Sequence, residues 1–408
     1  MNGTDSGERG LFSALLVHQW RSPWQYRFWM AGWIAVLIWG GGGWIDQLRH
    51  GLSVTGLDNR VVWGLYIGNF TFLVGVAAAA VILVVPAYLM EYRQVRKVTL
   101  LGESLAIAAV TMSLLFVFVD IGRPERIWHA LPLLGSLHFP ASILAWDMVV
   151  LSLYLLLNTA IVLVLLRAGY RGETLSHRRL MPWIVAAVVL GIGIHTVTAF
   201  MLSGLPARPY WNSAVLAPRF IASAFAAGAG MMLLLFHLLN RLSAFSLEKG
   251  VVSLLTGVLT FSLWITLYQQ ASELFVHSYG ATVHTVATQW LWSGEGGVAF
   301  VTDSVRFALL LELVAVVVVT LPGLRRRGGL LMAASLMTVI AIWLEKGMGL
   351  VIPGLLPTPL GEMGDYAPTF TEIRISLGVW AVGILLFSSL ARAVIGVEQG
   401  TVRAFSDA

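Results

Sequence analysis

The 408-residue sequence contains no cysteine. That excludes thiolate-bound iron–sulfur clusters, c-type haem attachment, zinc–thiolate sites and disulfides within this protein. Charge is also scarce: 12% of residues are Asp, Glu, Lys or Arg, against about a quarter in soluble domains. What fills the space is apolar. Hydrophobic residues make up 58% and the mean hydropathy is +0.81. Runs long enough to cross a bilayer recur throughout, so an all-α integral membrane protein is expected, because an open sheet cannot satisfy its backbone in lipid. The N-terminus lacks a short apolar region followed by a small-residue cleavage site, so no removable signal peptide is expected. The pI near 9.6 does not call for nucleic acid, because the arginines fall in short connections, as in membrane proteins generally.

About ten spans are expected, near residues 28–47, 62–88, 99–120, 141–166, 181–203, 216–240, 251–273, 299–322, 328–350 and 374–396. Residues 1–27 read as a cytoplasmic or interfacial segment with its aromatics at headgroup level, and 397–408 as a tail. Basic residues alternate from side to side. Arg9, Arg21 and Arg27 precede the first span, and Arg93, Arg96 and Lys97, then Arg167, Arg171, Arg178 and Arg179, then Arg241 and Lys249, then Arg325 to Arg327 fall in every second connection. The positive-inside rule places these, and both termini, in the cytoplasm. The opposite connections, 121–140, 204–219, 274–298 and 351–370, are longer and rich in Pro, Gly, His and Trp, and 274–298 has no Lys or Arg. Loops of that length are more often functional than idle. Spans 2 and 6 are both lined with small residues, and spans 4 and 8 carry Asp147 and Glu312. The pattern suggests two four-helix bundles, near 62–203 and 216–350, plus two extra helices.

The ionisable residues inside spans concentrate towards the outer side. The stretch 142-SILAWDMVVLSLYLLLNTAIVLVLLR-167 buries a carboxylate, Asp147, in an otherwise apolar run. It should lie about 9 Å below the outer boundary, with His195 about 12 Å deep on span 5. Tyr66 and Asn69 are near the outer end of span 2, Glu273 ends span 7, and Glu345 and Lys346 sit near the outer end of span 9. Glu312 is deeper. Such residues usually face the bundle interior and mark a ligand site or proton path. The bland reading is helix packing through ion pairs, and Asp120, Arg123 and Arg126 are expected only to cap and pair at a span end. His195 and His237 fall at opposite ends of their spans and cannot share a haem iron, and no metal signature is present. The outer-loop His129, His138, His277 and His284 show no haem spacing. A quinone suits what remains. It is flat, lipid-soluble, needs a hydrogen-bond partner at each oxygen, and exchanges two protons with its redox change, so Asp147 would take or give a quinol proton. His129, which follows a Trp in the loop before span 4, is positioned to join it. Two other classes fit less well. A secondary transporter or proton-conducting protein would place its site near the midplane between broken helices. A passive anchor of an enzyme complex would need no acid–base group.

The outer motif 120-DIGRPERIWH-129, then 145-AWD-147 with Tyr154 and Asn158, then 195-HTVTAFMLSGLPARPYWNSAVLAPRFIASA-224, resemble the NrfD/PsrC family of membrane subunits of polysulfide-reductase-like complexes. The stretch 344-LEKGMGLVIPGLLPTPLGEMGDYAPTFTE-372 resembles its ten-span branch, which includes the membrane subunits of alternative complex III and of the DsrMKJOP sulfur-metabolism complex; the DsrP type is the nearest group. The resemblance covers spans 2 to 10. It implies an inner-membrane subunit with no haem or cluster of its own, inactive alone, exchanging electrons between bound menaquinone or ubiquinone and a periplasmic ferredoxin-like iron–sulfur subunit. Cytochromes and cytoplasmic catalytic subunits are further partners it implies. It places the quinone by His129 and Asp147, with Tyr66, Asn69 and Trp146 beside them. If protons are translocated, Glu312, His195, Glu273 and Lys346 are the candidates for the path.

Overall fold

The computed structural model describes residues 5–130, 135–173, 175–280, 283–294 and 299–404. Parts of the outer loops 121–140 and 274–298, both ends of the protein, and the side chains of Arg9 and His284 lie outside the described residues. The helices run in order as α1 (Asp5–Trp20), α2 (Trp24–His50), α3 (Leu65–Ala78), α4 (Val81–Val84), α5 (Arg93–Asp120), α6 (Ile143–Arg171), α7 (His177–Ser203), α8 (Leu216–Leu242), α9 (Lys249–Tyr279), α10 (Val283–Ser293), α11 (Ala299–Thr320), α12 (Pro322–Arg325), α13 (Gly328–Lys346) and α14 (Phe370–Glu398). Among the described residues nine helical stretches are long and apolar enough to cross a bilayer. The remaining helix of that length, α11, has 22 residues but carries Asp303, Arg306 and Glu312. At 1.5 Å per residue it measures about 33 Å, the thickness of a hydrocarbon core. These ten helices coincide with the ten expected spans.

Several helix ends fall a few residues from expectation, and some elements differ in kind. Trp24 to Arg27 belong to the first spanning helix, because Pro23 starts that helix and the interfacial segment ends at Trp20. The 274–298 connection is not an open loop: α9 runs on to Tyr279, and α10 forms most of the rest. The second span is broken. Its α-helix ends at Ala78, resumes at Val81, and widens into a π turn over Val85–Leu89, where Pro86 cannot donate to the helical ladder. The ninth span likewise ends in a π turn, Gly347–Val351.

The packing forms two four-helix rings. In the first, α3 touches α5, α5 touches α6, α6 touches α7, and α7 returns to α3. In the second the same circuit runs through α8, α9, α11 and α13. The rings meet where α3 packs on α8 and α13, and α7 on α8. The remaining pair, α2 and α14, lies against α5. Apolar burial cannot drive helix association in lipid, whose tails are as apolar as leucine, so close approach and buried polar bonds must do so. Small residues supply the first. A Cβ at Gly228 on α8 would overlap that of Ala79 at the α3–α4 break.

Polar bonds supply the second, and they sort the connections into two ends. At one end Lys97 pairs with Glu248 at 2.6 Å, Arg392 donates to the His18 carbonyl, and the Ala404 amide donates to the Tyr170 carbonyl. This end holds the basic connections and both ends of the described sequence. At the opposite end buried Glu372 accepts from the Gly56 amide at 2.8 Å, the Tyr366 hydroxyl at 2.7 Å and the Thr369 amide at 2.9 Å. Glu372 is also the third residue of a capping box with Thr369 that starts α14. Burial, then the Glu372 carboxylate, push the Tyr366 phenol above its ordinary range, so it remains a donor. The Trp211 indole donates to the Leu350 carbonyl at 2.8 Å, tying the 204–215 connection to the ninth span.

Candidate functional site

Asp147 is the fifth residue of α6, about 6 Å along the axis from its start. Ser142 caps that helix by accepting from the Ala145 amide, which fixes where the first turn points. Asp147 is 5% exposed, in the interior of the first ring. Its partner is Thr198 on α7, whose Oγ1 lies 2.6 Å from Asp147 Oδ1 and 2.8 Å from the Ile194 carbonyl. A threonine hydroxyl has one hydrogen. With that hydrogen on Asp147, Oδ1 accepts, as an ionised carboxylate requires; with it on Ile194, Thr198 can only accept, and Asp147 must be protonated to donate. Both protonation states of Asp147 therefore find a partner without moving the helices. That is what a group that takes and gives a proton requires.

The other residues expected beside Asp147 are distributed differently. His129 lies in the 3-10 turn Pro124–Ala130, exposed, with its ring stacked on Trp128 at 3.8 Å. Trp146 is 38% exposed and donates to the Pro140 carbonyl, so its ring belongs to the outer face rather than the ring interior. Tyr66 is fully buried and donates to Gln47 Oε1 at 2.7 Å, while Gln47 donates on to the Val119 carbonyl. Asn69 is held by protein at both ends of its amide. Its Nδ2 donates to the Leu65 carbonyl, and its Oδ1 accepts from the indoles of Trp343 and Trp380, both at 2.9 Å. It is a junction of α3, α13 and α14, with its oxygen occupied by two indoles and one amide hydrogen on Leu65. Asp120 does not pair as expected: its Oδ1 is buried without a partner, and Arg123 faces Glu125 at 3.9 Å on the surface.

The four residues considered for a proton path do come together, along the second ring and its seam with the first. Arg219, in the first turn of α8, is the hub. Its two terminal nitrogens hold Glu273 of α9 and Glu345 of α13. Glu345 and Lys346 are buried rather than interfacial. Lys346 Nζ sits 3.1 Å from His195 Nε2 and 4.3 Å from the centre of the Phe220 ring. His195 Nε2 is also 2.5 Å from the Phe220 carbonyl, and its Nδ1 is buried without a partner. Space opposite is tight: a Cβ at Gly75 would stand 3.2 Å from His195 and 3.3 Å from Lys346 Nζ. Glu312, 1% exposed, accepts from Gln270 at 3.3 Å through Oε1 and leaves Oε2 unpaired. A cavity of about 510 Å³ joins Glu312, Glu273, Glu345 and Arg219.

Two buried residues escaped the sequence reading. Glu103, 3% exposed with Oε2 unpaired, stands in an apolar span just as Asp147 does, and the same rule applied to span 3 would have found it. Arg219 resembles an ordinary basic residue at a span boundary. Its partners lie 54 and 126 residues away, and only folding shows them.

The family model described as polysulphide reductase, NrfD, matches residues 53–357. The chain belongs to the NrfD family. It is a multi-pass membrane protein, and the matched region takes in both rings, from before α3 to beyond α13. A protein of Halobacterium salinarum assigned as a membrane subunit of dimethyl sulfoxide reductase is 29% identical, over 87% of this sequence and 89% of that one. A selenate reductase subunit of Mesobacillus selenatarsenatis is 24% identical over 85% and 89%. A polysulfide reductase subunit of Wolinella succinogenes is 24% identical over 70% and 92%.

Proposed function

We propose that this NrfD-family protein is the quinone-handling membrane subunit of a reductase-type redox complex. It would exchange electrons between the membrane quinone pool and an iron–sulfur subunit docked at the end opposite the basic connections. The observation that carries the reading is the Asp147–Thr198 pair: a buried carboxyl, near that end, with a hydroxyl partner suited to either protonation state. The names of the relatives, which are subunits of dimethyl sulfoxide, selenate and polysulfide reductases, support the class of complex. Menaquinone or ubiquinone would supply the redox chemistry. The protein's work is to orient the ring, exclude water and exchange protons at Asp147 Oδ1. The exposed Phe139 and Trp146 pack together at the start of α6, and the exposed Trp128 and His129 stack in the connection that leads to it. Aromatic surface of this kind suits a protein partner, and we assign the iron–sulfur subunit there. Placement in a DsrMKJOP-type complex of sulfur metabolism is the narrower form of this proposal, and the subunits that co-purify decide it.

The test is extraction of quinone from the purified complex together with quinol-dependent reduction of the iron–sulfur partner. Bound quinone and reduction are the expected result. An intact complex with neither would refute the reading.

One observation favours a second activity. The breaks in the second and ninth spans, with Lys346 and His195 beside them, are features of ion-moving proteins. We read this as proton movement accompanying electron transfer. Solute uptake by proteoliposomes of this protein alone would favour a transporter instead.

A further inference from the structure

The large cavity is not beside Asp147. It lies in the second ring, between α9 and α11, with α13 behind it. Three of its lining residues, Trp264, Tyr268 and Leu313, are exposed, so we place its mouth between them. Leu313 is near the middle of α11, so the mouth opens at the level of the hydrocarbon core. At about 510 Å³ the cavity is within the range of small-molecule sites.

Its inner wall holds two buried polar atoms without partners, Glu312 Oε2 and Arg219 Nε. Unpaired polar atoms in a buried site are costly and call for a partner. Glu312 can take a hydrogen, and Arg219 Nε can give one. A hydroxyl satisfies both kinds of atom, and aromatic side chains at the mouth favour a flat ring. A phosphate headgroup fits badly. Both terminal nitrogens of Arg219 are already held by Glu273 and Glu345, and two carboxylates outnumber one guanidinium.

We infer that the second ring carries a lipid-accessible binding site, between α9 and α11, for a neutral aromatic ligand bearing hydroxyl groups, recognised by Glu312 and Arg219. This goes beyond the function proposed above, which places its quinone in the first ring, and does not rest on it. No redox step is assigned to the second site.

The probe is a hydroquinone carrying a diazirine on a short alkyl tail, added to the full-length protein in its purified complex in nanodiscs. After irradiation, labelled peptides are mapped. Saturable label on α9 and α11 peptides is expected, displaced by unlabelled hydroquinone and at least tenfold less by its dimethyl ether, which cannot donate. Leu313→Trp, which fills the mouth from the exposed side, should abolish that label. Glu312→Met should weaken it roughly tenfold. Because the ether comparison uses the unaltered protein, a variant that folds poorly does not weaken the test. No saturable label on α9 or α11, equal displacement by the ether, or displacement by added phospholipid would each overturn the inference. Label on α6 and α7 reports separately on the Asp147 site, so loss of one reading is told apart from loss of the other.

Discussion

Lys346 Nζ lies 3.1 Å from His195 Nε2, across the seam between the two rings. An ammonium and an imidazole both want to donate, and the Phe220 carbonyl also claims the same ring nitrogen. The arrangement is most easily satisfied when one of the pair gives up a proton, and we propose that protons are exchanged here. Lys346→Met should therefore lower the protons moved per electron in proteoliposomes while quinol-linked electron transfer continues. A purely structural role predicts reduced stability with an unchanged proton-to-electron ratio, measured as the pH change after a quinol pulse.

Thr198 donates to Asp147, and in the proposed function it positions that carboxyl. Thr198→Val keeps the shape and removes the hydroxyl. A hydrogen bond to a charged group contributes about 1.5–3 kcal/mol, so quinol turnover should fall roughly tenfold or more. Thr198→Ser should restore most of it, which a packing defect would not explain. Rates of the two variants, compared at equal complex yield, decide this.

Glu372 is a structural residue by the same kind of accounting. Glu372→Ala strips partners from the Gly56 amide, the Tyr366 hydroxyl and the Thr369 amide at once. Each buried group left unsatisfied costs about 1–3 kcal/mol, while the Thr369 hydroxyl still accepts from the backbone amide of residue 372. The variant should unfold at a clearly lower temperature in detergent, with turnover per folded complex unchanged. Thermal unfolding followed by tryptophan fluorescence measures the first, and activity normalised to intact complex the second.

The helix inventory was readable because apolar length is a local property, and every spanning helix announces itself. Asp147 was readable for the same reason, since a carboxylate in a leucine-rich run stands out. Asn69 shows where this stops. Its sequence neighbours suggest a polar group facing a ligand, and the two indoles that occupy its oxygen, 274 and 311 residues further on, could not be read there. Trp146 stands next to Asp147 in sequence and points elsewhere, because adjacent residues on a helix do not share a face. The Arg219 hub was hidden twice, by its position at a span boundary and by partners on two distant helices. The continuation of α9 past Glu273 was missed because Phe275, Val276 and Tyr279 are exposed there and give no buried stripe.

The central claim is that Asp147 exchanges protons with quinol, and Asp147→Asn tests it most directly. Asparagine keeps the size and a hydrogen-bond partner for Thr198 but cannot take a proton. The measurement is quinol-dependent reduction of the iron–sulfur partner in the purified complex, at matched subunit content and quinone occupancy. The account predicts a loss of at least a hundredfold, within the range that general acid–base groups contribute, with assembly unaffected. An unchanged rate in an intact complex would contradict it.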